Sequence, residues 1–65
     1  MKIQLNGTHL DTEHNDLAAL VSALGHDADK VATAVDGLFV PRTARAQTPL
    51  HEASAVEILA PMEGG

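Results

Sequence analysis

One stretch of this chain carries the spacing of an amphipathic helix: Leu17, Leu20, Val21 and Leu24, an i, i+3, i+4, i+7 stripe. Asn15 and Asp16 stand just before it, and either can cap a helix because its side-chain oxygen accepts from an orphan backbone N–H. Ala18, Ala19 and Ala23 fill the remaining positions with the best helix former. Gly25 follows where a left-handed C-terminal cap belongs. The neighbouring stretches are short and β-rich. One helix among several strands leaves few architectures: it must lie across one face of a sheet, and the other face gets no cover from this chain.

The strands read from both ends toward that helix. Lys2-Ile3-Gln4-Leu5-Asn6 alternates polar and apolar residues, the period of a half-buried strand. Asn6-Gly7 is a two-residue hairpin signal, since both positions accept positive φ. A second strand, Thr8 to Thr12, then pairs back with Leu10 on the core side. Val31-Ala32-Thr33-Ala34-Val35 is apolar enough to predict a strand buried on both sides. Asp36-Gly37 makes another tight turn into Leu38-Phe39-Val40, and Pro41, lacking an N–H, ends that strand. Arg42 to Ser54 is mixed and polar and predicts a long loop with one helical turn. Ala55 to Ala60 is the last strand, stopped by Pro61. The expected fold is α+β: a roll of a mixed sheet of four to five strands around one main helix, ββαββ in outline. Residues 1–60 form the body and 61–65 a flexible tail ending Gly-Gly.

Composition narrows the function. A chain of 65 residues buries only about 60% of its unfolded surface and cannot also hide a deep catalytic cleft. With no cysteine, it has no disulfide, thiolate metal site or Cys nucleophile, so any sulfur chemistry must draw its sulfur from elsewhere. Phe39 is the one aromatic residue, too little for a base-stacking platform. The net charge of −5 disfavours nucleic acid and anionic membrane surfaces and suits a basic protein surface. No secretory signal or spanning run is visible, which predicts the cytoplasm.

His9, His14, His26 and His51 lack the spacing of zinc ligands, so no metal is expected. Asp11, Glu13, Asp27 and Asp29 read as solvated charge. Arg42 and Arg45 could fork onto phosphate, meet a partner's acidic patch, or lie in an ordinary surface loop; protein contact is favoured over phosphate. Leu38, Phe39, Val40 and Met62 are core residues by type, yet the uncovered sheet face must present some of them. Phe39 and Met62 are the candidates for such a partner patch.

The chain ends in Gly64-Gly65. Without Cβ atoms such an end can extend and thread a narrow channel. Its unhindered carboxylate becomes a good nucleophile once held in line with the α-phosphate of ATP, giving an acyl-adenylate that a sulfur donor can attack.

Ile3-Gln4-Leu5-Asn6-Gly7, the run from Val31 to Arg42 and the Gly64-Gly65 ending together resemble the ThiS family of sulfur carriers, of the ubiquitin-like β-grasp fold. The resemblance covers nearly the whole chain. Val40-Pro41-Arg42 separates it from the molybdopterin-synthase small subunits, which share fold and tail but usually lack that triplet. Asp36 stands where the family usually has Asn, and Glu52-Ala53-Ser54 where it often has an Asp-Gly-Asp-like turn.

The resemblance implies a carrier acting as co-substrate rather than an enzyme. A ThiF-like adenylyltransferase would couple Gly65 to AMP, a persulfide donor would leave a thiocarboxylate, and a ThiG-like thiazole synthase would take up the sulfur. Gly64, Glu63 and Met62 would thread the partner's channel, and Phe39, Pro41 and Arg42 are candidate partner contacts. ATP and the sulfur donor would be used by the activating partner, with no cofactor bound here. The alternatives are a molybdopterin-synthase subunit, a carrier for another sulfur pathway, a ubiquitin-like protein modifier, and an adaptor that uses the uncovered sheet face.

Overall fold

A computed structural model describes residues 1–61. Its elements are β1 (Lys2–Leu5), β2 (Thr8–Asp11), α1 (Leu17–Ala23), β3 (Ala32–Val35), β4 (Leu38–Val40), a 3₁₀ helix (Arg42–Gln47) and β5 (Ala55–Leu59). The strands form one five-stranded sheet in the order β2-β1-β5-β3-β4. Two antiparallel hairpins, β1–β2 and β3–β4, are stitched together by β5, which runs parallel to β1 and antiparallel to β3. A mixed sheet grasping one helix is the β-grasp expected. The element order is ββαβββ, with all five strands read from the sequence present; the ββαββ outline merely left one of them out of its shorthand.

Both hairpins turn through two residues at positive φ, Asn6-Gly7 at 50° and 84° and Asp36-Gly37 at 52° and 83°. That geometry matches the twist of the flanking strands. Asp16, rather than Asn15, caps α1: its Oδ1 accepts from the Ala19 N–H at 2.8 Å. The Asn15 carbonyl accepts instead from Leu50 N–H at 2.8 Å, tying the segment after the 3₁₀ helix to the start of α1. The helix ends at Ala23, and Leu24, counted in the apolar stripe, is its exposed C-terminal cap.

The core lies between α1 and one face of the sheet. Leu17, Leu20 and Val21 from the helix meet Ile3, Val56, Ile58 and Val40 from the strands, with Leu50 closing one end. Burying each such side chain is worth roughly 1.5–3 kcal/mol, so a handful of residues carries most of the fold.

Two expectations are corrected. The strand at 32–35 is buried on one side: Thr33 points into the core, whereas Ala32 lies on the open face and is exposed. Alternation of small and branched residues, masked by their shared apolar character, marks this sidedness. The stretch after Pro41 opens with two turns of 3₁₀ helix instead of one helical turn within a loop. Pro41 at φ −66° presets its start, and the Pro41 carbonyl accepts from Ala44 N–H at 2.9 Å.

Arg45 supplies the reason for that helix. Read from sequence as a surface or phosphate-binding side chain, it is 3% exposed. Its Nε donates to Thr33 Oγ1 at 2.9 Å, Nη1 to the Ala28 carbonyl at 2.9 Å and Nη2 to the Val31 carbonyl at 2.8 Å. Thr33 Oγ1 in turn donates to the Val40 carbonyl at 2.8 Å. One guanidinium thus ties the 3₁₀ helix to β3 and to the segment before it.

Candidate functional site

The two faces of the sheet divide the work. The register pairs Ala34 with both Phe39 and Glu57, Ala32 with Leu59, and Gln4 with Ala55 and His9. Paired residues in a sheet share a face, and these all stand on the side away from α1. Phe39 is 71% and Leu59 65% exposed, with the small Ala32 and Ala34 between their strands. The open face therefore carries Phe39, Leu59, Ala32 and Ala34, with Glu57 among them, on the β5-β3-β4 side, and is polar toward β1 and β2, where Lys2, Gln4, His9 and Asp11 stand.

Phe39, a candidate from the sequence, lies on this face. Leu59 was missed there. The signal was available: Val56 and Ile58 alternate into the core, so Leu59, one residue on, must face out. Leu38 is also exposed, at the end of the edge strand. Pro41 is exposed where β4 gives way to the 3₁₀ helix. Arg42 stands elsewhere: it pairs with Asp29 at 3.2 Å and lines a cleft with Ala18 and Val21 of α1. The structure separates Arg42 from Phe39, placing them on opposite sides of the sheet. Met62, Glu63, Gly64 and Gly65 lie outside the described residues.

What leads to those four residues is β5, held at both ends by turn residues of the two hairpins. At one end Asn6 meets Ile58 with both halves of its amide: Nδ2 donates to the Ile58 carbonyl at 3.1 Å, and Oδ1 accepts from Ile58 N–H at 3.0 Å. At the other end Asp36 Oδ1 accepts from Ala55 N–H at 2.9 Å, while the Asp36 backbone N–H donates to the Ala55 carbonyl at 2.8 Å. The difference explains the departure at position 36. There the side chain need only accept, which a carboxylate does as well as an amide. At Asn6 it must donate as well, which a carboxylate cannot.

The other departure, Glu52-Ala53-Ser54, keeps a tight turn at a conformational cost. Ala53 sits at φ +70°, a left-handed position that disfavours a Cβ by roughly 1–2 kcal/mol. Its N–H donates to the Lys2 carbonyl at 2.8 Å, and Ser54 Oγ accepts from His51 N–H at 2.9 Å. Glu52 Oε2 accepts from Lys2 N–H at 2.9 Å. These bonds to β1 and across the turn hold it in place of glycine's freedom.

The remaining polar residues are local. Asp27 Oδ1 accepts from Asp29 N–H, a turn contact. Among the described residues no three His or carboxylate side chains gather as a metal site. No helix among them is long and apolar enough to cross a membrane.

A family model described as the ThiS family matches residues 2–65. The chain belongs to the ThiS family. Two solved structures agree across the whole of this ThiS-family chain. One is the crystal structure of the thiamine biosynthesis protein ThiS from Geobacter metallireducens, 29% identical, with a TM-score of 0.83 and full coverage of both chains. The other is a solution NMR structure of a thiamine biosynthesis protein from the same organism, 30% identical at the same TM-score, covering all of this chain and 88% of that one. No curated protein matches the sequence.

Proposed function

We propose that this chain is a sulfur carrier for thiazole formation in thiamine synthesis, with the Gly65 carboxylate as its chemical site. A carboxylate oxygen attacks the α-phosphorus of ATP in a ThiF-like adenylyltransferase, and pyrophosphate leaves. The outer sulfur of a persulfide donor then attacks the acyl carbon and AMP leaves, giving an acyl disulfide. A thiol cleaves its S–S bond, forming a disulfide with the donor's remaining sulfur, and the terminus is released as a thiocarboxylate. A ThiG-like thiazole synthase takes the sulfur and returns the carboxylate. ATP and the sulfur donor belong to the partners; the carrier supplies a recognisable body and a reactive end, and acts as co-substrate.

The observation that carries this reading is a family match running through residue 65, so that Gly64-Gly65 falls within the shared pattern. The names of the solved relatives, both thiamine biosynthesis proteins, favour thiazole over another sulfur pathway. The open face adds a docking surface. Phe39 on the edge strand β4 and Leu59 on β5, the strand that leads to the tail, offer exposed apolar area, and exposed apolar area of this kind marks a partner site. Pro41 borders it. Arg42 contributes from the helix side, as a contact separate from the patch.

The test is an intact-mass spectrum of the full chain after incubation with ATP, the cognate activating enzyme and a sulfur donor. The expected result is a mass gain equal to one oxygen replaced by sulfur, abolished by deleting Gly65 while the circular dichroism spectrum is unchanged. An unaltered mass with a competent enzyme overturns the reading.

A further inference from the structure

On the helix side of the sheet, a cleft of about 260 Å³ opens between α1 and the 3₁₀ helix. Its polar wall is Ser22, His26, Arg42 and Arg45, and its apolar wall is Ala18, Val21 and Ala28. The chain is acidic overall and has four Lys and Arg residues in all, and two of the four line this cleft; Asp29 pairs with Arg42, which leaves Arg45 as the cleft's cation with no carboxylate partner among the described residues.

We infer that this cleft is an oxyanion site that takes the phosphate group of a small phosphorylated metabolite. The central observation is Arg45. It is almost wholly buried, yet its three hydrogen bonds go to neutral oxygens of Thr33, Ala28 and Val31. Among the described residues no carboxylate neutralises it. Dipoles compensate a desolvated charge only in part, and an opposite charge compensates it better. Of its five N–H groups, one on Nη1 and one on Nη2 have no partner among the described residues, and a guanidinium is a group well matched to phosphate.

The other donors can join it. The Arg42–Asp29 pair is largely exposed on both sides, at 59% and 74%. An ion pair in that setting is weak, so Arg42 can turn to a bound anion at little cost. Ser22 and His26 add a hydroxyl and an imidazole N–H. The negative end of α1 opposes an anion here, but weakly: the helix has seven residues, and the Val21 and Ser22 carbonyls already accept from His26 and Gly25 N–H groups.

Two features favour a phosphate ester over a carboxylate. Four side chains with donors line the cleft, more than the two oxygens of a carboxylate need, and the alanine and valine wall accommodates a short carbon skeleton. The cleft faces away from Phe39 and Leu59, so its occupation leaves the open face clear, and it shares only Arg42 with the proposed partner contacts.

The full ¹⁵N-labelled chain should be titrated with inorganic phosphate and with glyceryl phosphate, against sodium chloride at matched ionic strength and sodium acetate. Saturable shifts are expected at the Ser22, His26 and Ala28 amides and at the Nε–H signals of Arg42 and Arg45. Glyceryl phosphate should bind more tightly than inorganic phosphate. Arg42→Gln should weaken binding about tenfold, equivalent to about 1.4 kcal/mol, whereas Lys2→Gln should leave it unchanged. The Arg45 signal is read in the unaltered protein, so the test does not rest on a variant that fails to fold. Shifts reproduced by chloride, affinity unchanged in both Arg42→Gln and His26→Gln, or acetate binding as tightly as phosphate would each overturn the assignment.

Discussion

The two faces of this sheet are written by alternate residues of the same five strands, and they have opposite purposes. On the face toward α1, Ile3, Val56, Ile58 and Val40 are branched, buried and packed against Leu17, Leu20 and Val21. On the other face the positions between them hold Gln4, Ala34, Glu57, Phe39 and Leu59, small or exposed. A domain of this size has apolar residues for one core only. The lesson is that Phe39 and Leu59 are not failed core: their exposure contributes nothing to folding, and so is accounted for by what they meet outside.

The sharpest way to break this division is to cut the closed face. Leu20→Ala should cost about 2–5 kcal/mol, the range for emptying a well-packed site, read as a drop in the urea midpoint. A loss under 1 kcal/mol would mean that the core is not where the stability lies.

Next come the turn residues that hold β5 between the faces. Asn6→Ala removes two hydrogen bonds worth about 1 kcal/mol each and leaves an alanine at positive φ, so a loss of about 2–3 kcal/mol is expected. Asn6→Asp should lose part of this, since one carboxylate oxygen can still accept from Ile58 N–H. Equal stability for Asn6→Asp and the unaltered chain would show that the donated bond carries no weight. Asp16→Ala, removing the cap of α1, should cost about 1 kcal/mol. In the opposite direction, Ala53→Gly relieves the left-handed alanine but loosens the unfolded chain, and should stabilise by about 0.5–1 kcal/mol.

The smallest effect on stability is predicted on the open face. Leu59→Glu should change it by less than about 0.5 kcal/mol while sharply weakening capture by the activating partner. A stability loss as large as that of Leu20→Ala would erase the distinction between the faces.

The features legible in the sequence are those whose cause is local. Asn6-Gly7 and Asp36-Gly37 specify hairpins by conformation alone, and the stripe from Leu17 is read by its period. Arg45 was not legible. Its burial is tied to the carbonyls at Ala28 and Val31 that accept from it, and nothing within the polar run from Arg42 to Ser54 signals them. The bonds of Asn6 to Ile58 span 52 residues, so the turn was visible and its second role was not. Of the candidate site, Phe39 was identified from its apolar character beside an uncovered face. Leu59 was passed over although the alternation of Val56 and Ile58 turns it outward, and Arg42 was grouped with Phe39 by sequence proximity that the sheet divides.

The placement of β5 has one further consequence. The central strand is the last to be synthesised, and it alone joins the two hairpins. Until residues 55–59 have emerged, a nascent chain holds two separate halves with no shared sheet, and a two-stranded ribbon is marginally stable by itself. Closure needs pairing between the first strand and the last, the kind of distant contact that slows folding. A chain interrupted within β5 would therefore be two hairpins without a common sheet rather than a shortened carrier.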